Sequence, residues 1–346
     1  MLNHDNDKSS KMKVLFAPLM PNELPASMAS DYQSDTVFHG LVKLLGKNVH
    51  TPFDMWWHHK DEKNKHPEKF SEIWGKSFTI YGLLDKDEYT KIGSATNDRY
   101  DAVIIPIHHT VNKQEQLVGN AVDYYLDRGY EKKQIIVIDG WDRPFIMKSV
   151  LDRCTYYKRE LQDDDDRIHP IRFSFPEEKI QNIDDSNRTR AFAPLIPVNQ
   201  SIDPSYMQTY VYDTEESYYK MYQESLFGLT SCKGGWDTLR HYEIIANGCF
   251  PFFVDLEECP PRTLAGLPKF SLITGRNNLG GIPNLKEGVW EGKPLKNCSE
   301  IVMDNPGSLH KQFSLTRWKK SRDYVYNWLK NKGTTKYMAS EILGKV

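Results

Sequence analysis

Short apolar runs alternate along this chain with amphipathic stretches of helical period. Met12–Pro18 (MKVLFAP) reads as a first strand. Asp31–Leu45 follows as a helix, with Val37, Leu41, Leu44 and Leu45 on its buried side. Asn48–Val49 begins a second strand, and Phe78–Leu84 is apolar enough for another. Tyr100–His108 (YDAVIIPIH) is a strongly apolar strand, Val118–Asp127 its helix and Ile135–Asp139 (IIVID) the next strand. Ile171–Phe175 closes this series. Glu177–Pro197 is polar and reads as a connection. A second series then begins: a strand at Tyr210–Tyr212, a helix over Glu215–Ser225 and a strand at Phe227–Thr230. It continues with a helix to Asn247 and a strand at Phe250–Val254. Leu309–Leu329 is helical again, anchored by Phe313, Trp318, Val325 and Leu329. Alternating strands and helices predict an α/β protein with parallel sheets, here two Rossmann-like domains facing a cleft. The boundaries fall at 12–180 and 200–310, with a C-terminal segment over 311–346.

The second series carries the clearest chemistry. In Ser225–Asp255 (SLFGLTSCKGGWDTLRHYEIIANGCFPFFVD) a strand runs into Lys233-Gly234-Gly235. Asp237 or Thr238 then caps a helix, and Gly248 fits its left-handed C′ position. Leu239, Tyr242 and Ala246 form the buried face. Arg240, Glu243 and Asn247 share another. A glycine turn at a helix N-terminus, beside Lys233 and Arg240, suits an anion such as a diphosphate. Glu243, one turn further in, is placed to accept from ribose hydroxyls. The plainer reading is a βα turn whose Arg240 and Glu243 simply pair along the helix.

The segment KGGWDTLRHYEIIANGCFPFF also resembles the donor-binding segment of GT-B glycosyltransferases of the exostosin family, R-x-x-E-x-x-x-x-G-x-x-P. Arg240, Glu243, Gly248 and Pro251 fall on that pattern, and the match is confined to this part of the chain. The resemblance implies a nucleotide-sugar donor, UDP- or GDP-linked, held by its diphosphate and ribose, with Glu243 on the ribose. It implies a GT-B layout with the acceptor on the first domain and the C-terminal helix packing back on that domain. Retaining members carry an E-x7-E pattern; the first position here is Gly235, which favours inversion.

Composition narrows the alternatives. The formal net charge is -2, so no global basic field points to nucleic acid. The five cysteines (Cys154, Cys232, Cys249, Cys259, Cys298) are scattered without a C-x-x-C pair, against zinc and against a disulfide framework. No apolar run approaches a membrane span, and MLNHDNDKSSK is polar, unlike a signal peptide. A soluble, cytoplasmic enzyme is expected. The histidine-rich stretch around His58, His59 and His66 reads as a surface loop near the cleft, not as a metal site.

The expected function is transfer of a sugar to an acceptor hydroxyl of a glycan or glycoconjugate, metal-independent and inverting. The alternative is a non-catalytic carbohydrate-binding protein on the same fold. Lys158, Arg159, Lys233, Arg240, Glu243 and the backbone of Gly234 and Gly235 are the donor-binding candidates. Loops after parallel strands are where α/β proteins place their sites. Asp35, Asp139 and His39 are therefore the candidates for the catalytic base, with His108 and Asp142 also eligible; His109 lies at the same strand ends as a cleft candidate. The acidic run Asp163–Asp166 follows no apolar strand and reads as a solvated loop.

Overall fold

The computed structural model describes residues 12–19, 28, 30–93, 98–111, 114–193, 212–253, 255–277, 289–290, 293–294 and 314–346. The expected tail over 1–11, most of the short strand at 210–212 and most of the region 278–313 lie outside them. The chain divides into two compact units. The first comprises residues 1–177, 260–265 and 334–346, and the second residues 178–259 and 266–333.

The first unit is built on a parallel sheet of strands β1 (Val14–Phe16), β2 (Val49–Thr51), β3 (Thr90–Lys91), β4 (Ala102–Ile107), β5 (Ile135–Asp139), β6 (Thr155–Lys158) and β7 (Ile168–Pro170). Their order is β3-β2-β1-β4-β5-β6-β7, the doubly wound pattern in which the strand order reverses beside β1. Strands inside such a sheet are covered on both faces and so read as continuous apolar runs. Alternate residues serve the two faces. Ile104, Ile136 and Ile138 join one core cluster, while Val103, Ile105, Ile135 and Val137 join the other.

Helix α1 (Tyr32–Leu45) covers the first face. Its N-terminus is fixed reciprocally. Asp31 accepts from the backbone N–H groups of Gln33 and Ser34, and Asp35 accepts from the N–H of Asp31 at 2.8 Å. Two short helices, α2 (Lys60–Lys65) and α3 (Pro67–Ser71), follow, and α4 (Glu115–Leu126) connects β4 to β5.

The stretch around His58 is not a surface loop. Trp57 and His58 are buried, because both hydrogen-bond the carboxylate of Asp35. Nor does Phe78–Leu84 form a strand, since Thr79 and Gly82 have φ of 73° and 69°. Its apolar residues Ile80, Tyr81 and Leu84 are buried as irregular chain instead. The strand expected at Ile171–Phe175 forms three residues earlier, at an edge position that tolerates Pro170. Strand β6 went unread in the sequence, and it does precede the acidic run 163–166.

The second unit has a three-stranded parallel sheet in the order β10-β9-β8. Its strands are β8 (Arg190–Phe192), β9 (Ser225–Thr230) and β10 (Phe250–Phe253). Strand β8 lies within what the sequence presents as a polar connection. Around the sheet run α5 (Glu215–Gln223), α6 (Leu239–Ala246), α7 (Lys269–Asn277) and α8 (Leu315–Lys332). Helix α8 inserts Trp318, whose indole N–H donates to the Leu226 carbonyl at 3.1 Å. Its Arg322 makes a two-pronged bond to Asp185 at 2.8 and 2.9 Å. The last helix, α9 (Thr335–Leu343), belongs to the first unit and packs on α1. That contact depends on Gly40, where a Cβ would sit 2.0 Å from the Thr335 carbonyl oxygen. Among the described residues, no helix is long and apolar enough to cross a membrane.

Candidate functional site

Strand β9, the turn after it, helix α6 and strand β10 form the βαβ unit that the apolar pattern predicts, with β9 and β10 paired in parallel. Helix α6 sits close on β9 because Gly228 has no side chain; a Cβ there would lie 2.8–2.9 Å from Ile244. The far end of α6 closes in a Schellman motif. Cys249 N–H bonds the Ile244 carbonyl, Gly248 N–H bonds that of Ile245, and Gly248 has φ of 67°.

At the near end, Asp255 beyond β10 accepts from the N–H of Cys232 at 3.1 and 3.2 Å, tying the turn to the sheet. Burial raises the pKa of Asp255. Lys233 N–H bonds the Gly235 carbonyl across the glycines at 3.0 Å. Thr238 occupies the N-cap of α6; its hydroxyl lies 3.4 Å from His241 Nε2 and makes no hydrogen bond to a backbone N–H of the helix. The first-turn N–H groups therefore lack the usual side-chain acceptor.

Arg240 and Glu243 lie one turn apart on this helix. The Nε and Nη1 atoms of Arg240 are buried and have no hydrogen-bond partner. Burial works against its charge, but Tyr222, Tyr218 and Glu243 outweigh it, and its pKa is raised. Glu243 is buried and accepts from the Tyr218 hydroxyl at 2.6 Å. Tyr218 in turn lies 3.4 Å, oxygen to oxygen, from Tyr222. Lys233 is exposed, while neighbouring protein atoms still desolvate its ammonium. That crowding, together with the Arg240 charge, lowers its pKa to about 8. Gly234 is exposed and Gly235 buried.

Beneath the turn, His241 is held between Thr230 Oγ1 and the Trp236 carbonyl, each at 2.8 Å, and burial lowers its pKa to about 3. The arrangement offers two cations, uncapped backbone donors and an oriented carboxylate within one turn and helix. Sequence reasoning selected Lys233, Arg240 and Glu243 but missed Tyr218, Tyr222 and His241. The two tyrosines precede Glu243 on another helix, so no local spacing could reveal them.

The remaining candidates lie in the first unit. Asp139, at the end of β5, is buried and accepts from Tyr156 at 2.6 Å, Lys158 Nζ at 2.9 Å and the Trp141 N–H at 3.0 Å. Lys158 is fully buried and also donates to the Trp141 carbonyl at 3.2 Å. Burial lowers its pKa, opposed by Asp139. Arg159 pairs with Asp142 and Glu160 and donates to the Gly140 carbonyl. Lys158 is thus paired with Asp139, and Arg159 with Asp142 and Glu160, while the acidic run 163–166 finds its own partner. There, Arg167 holds Asp165, and the pKa of Asp165 falls to about 2. Asp35 accepts from the Trp57 indole at 2.8 Å and lies 3.0 Å from His58 Nε2. His39 Nδ1 lies 2.9 Å from Thr335 Oγ1, inside the α1–α9 contact.

Asp31, which the sequence did not single out, meets His108 and His109 at the C-terminal edge of the sheet. No protein-family model, curated protein or solved structure matches the chain.

Proposed function

We propose that the second unit binds the diphosphate of a nucleotide sugar at the β9–α6 turn, and that the protein is a glycosyltransferase of GT-B type. The observation that carries this reading is the Arg240 guanidinium, buried with Nε and Nη1 lacking acceptors. Two buried guanidinium nitrogens without acceptors are costly even with Tyr218 and Glu243 beside the group, and a diphosphate oxygen is the natural complement. Lys233, exposed and near its titration range, supplies a second charge to the same group. The uncapped first turn of α6 supplies N–H donors. Glu243, fixed by Tyr218, suits the ribose hydroxyls. As the glycosidic bond breaks, negative charge grows on the leaving diphosphate, and preorganised cations stabilise that charge more than the ground state. The motif resemblance at Arg240, Glu243, Gly248 and Pro251 supports the same assignment.

The test is calorimetric titration of UDP and GDP in the presence of EDTA, with assay of nucleotide release from UDP- and GDP-sugars. One nucleoside diphosphate binds the wild type, and Arg240→Ala weakens both binding and transfer by about 100-fold or more. If no nucleoside diphosphate binds the folded protein, the donor site is refuted. Retained glycan binding would then favour the carbohydrate-binding reading.

A further inference from the structure

The strand order of the first unit reverses beside β1, between β1 and β4. Ligands of doubly wound sheets lie beyond the strand ends at this point. The chain places three metal-ligating side chains there. Asp31 caps α1, and His108 and His109 follow the last residue of β4. One ligand atom from each lies within 4.8 Å of the other two.

The geometry points to a divalent transition-metal site formed by Asp31, His108 and His109. The two oxygens of Asp31 divide their work. Oδ1 caps the helix, while Oδ2 faces His109, 3.1 Å from its backbone N and 3.4 Å from Nδ1. The imidazoles of His108 and His109 have centroids 4.1 Å apart with planes tilted by 37°.

His108 is buried, while the side chains of His109 and Asp31 keep 33% and 12% of their surface accessible. An entry path therefore exists from the solvent side. Two nitrogens and one carboxylate oxygen select zinc or a neighbouring first-row ion over magnesium or calcium. Three protein ligands leave at least one position open for water or an anionic ligand. The site belongs to the first unit and does not depend on the nucleotide assignment.

The test uses untagged, EDTA-treated full chain titrated with Co²⁺ and, separately, Zn²⁺. The expected result is one tight equivalent and visible Co²⁺ absorption of the four- or five-coordinate type. His109→Ala and Asp31→Asn each lower affinity about 100-fold or more. Asparagine still caps a helix, so Asp31→Asn removes the ligand charge and leaves α1 intact, as circular dichroism will show. The exposed His66→Ala binds as the wild type does. No Co²⁺ absorption from the wild type, or unchanged affinity in both folded variants, overturns the site.

Discussion

Tyr218 donates its hydroxyl to Glu243 Oε2 across 2.6 Å, and both side chains are buried. The bond joins α5 to α6 and fixes the carboxylate that the nucleotide reading sets against ribose. An O–H···O⁻ bond of this length is among the stronger ones in proteins. Tyr218→Phe removes the donor and keeps the ring. We expect a loss of about 1–3 kcal/mol in urea unfolding. A variant as stable as the wild type would show that the bond does not anchor Glu243.

Lys233 gives the binding reaction a pH signature. Its pKa of about 8 lies below that of an ordinary lysine because neighbouring protein atoms partly desolvate it and the Arg240 charge is nearby. Below pH 8 it is a cation and attracts a diphosphate; above, it is neutral and does not. Nucleotide affinity should therefore fall as pH rises through and beyond 8, by roughly tenfold. Binding itself raises the lysine pKa, so the fall in the complex is displaced upward. Calorimetry across this range reads it directly. Lys233→Gln should bind weakly throughout and lose this dependence; an unchanged profile would remove Lys233 from the site.

The βαβ unit was legible because its signals are local. Apolar strands, a helical period and one C′ glycine each sit within a few residues, and all agree in β9, α6 and β10. The first sheet was legible wherever both faces are covered, as in β4 and β5. Strand β6 (TYYK) escaped because Tyr and Lys mask a buried strand; Lys158 is tolerated there through its bonds to Asp139 and the Trp141 carbonyl. The run Phe78–Leu84 misled for the converse reason: it is apolar and buried, yet positive φ at Thr79 and Gly82 breaks it. Site residues divide in the same way. Arg240 and Glu243 share a helix face and could be paired from spacing alone. The Asp31–His108–His109 group is assembled by strand order, which no local window contains.

Lys158 and Asp139 form a buried pair, with Lys158 fully buried and Asp139 only 1% exposed. Removing one partner leaves the other charge in a poorly solvating interior. Lys158→Met should cost about 3–5 kcal/mol of stability. Adding Asp139→Asn removes the orphaned charge and should restore part of that loss. Denaturant unfolding of the two singles and the double gives the coupling between them. Additive losses would mean that the pair does not act as one unit.

His241 predicts how the second unit responds to acid. Burial lowers its pKa from the usual 6.5 to about 3. The folded state keeps the ring neutral, with Nε2 facing the Trp236 carbonyl and Nδ1 facing the Thr230 hydroxyl. The unfolded chain takes up a proton near pH 6.5. Between these limits the unfolded state binds more protons than the native state, so stability rises with pH across the window. Stability is full above 6.5 and declines as pH falls toward 3, by at most roughly 4–5 kcal/mol. The Asp185 carboxylate, whose pKa Arg322 lowers from 3.8, loses its contribution only at the acid end of this range. His50, His59, His108 and His169 also have lowered pKa values and act in the same window, so the share of His241 is read as the difference between wild type and variant. His241→Asn, which keeps a donor and an acceptor but does not titrate, should reduce the slope of stability against pH between about pH 6.5 and 4.5. An equally steep decline in the variant would show that another group carries the acid sensitivity.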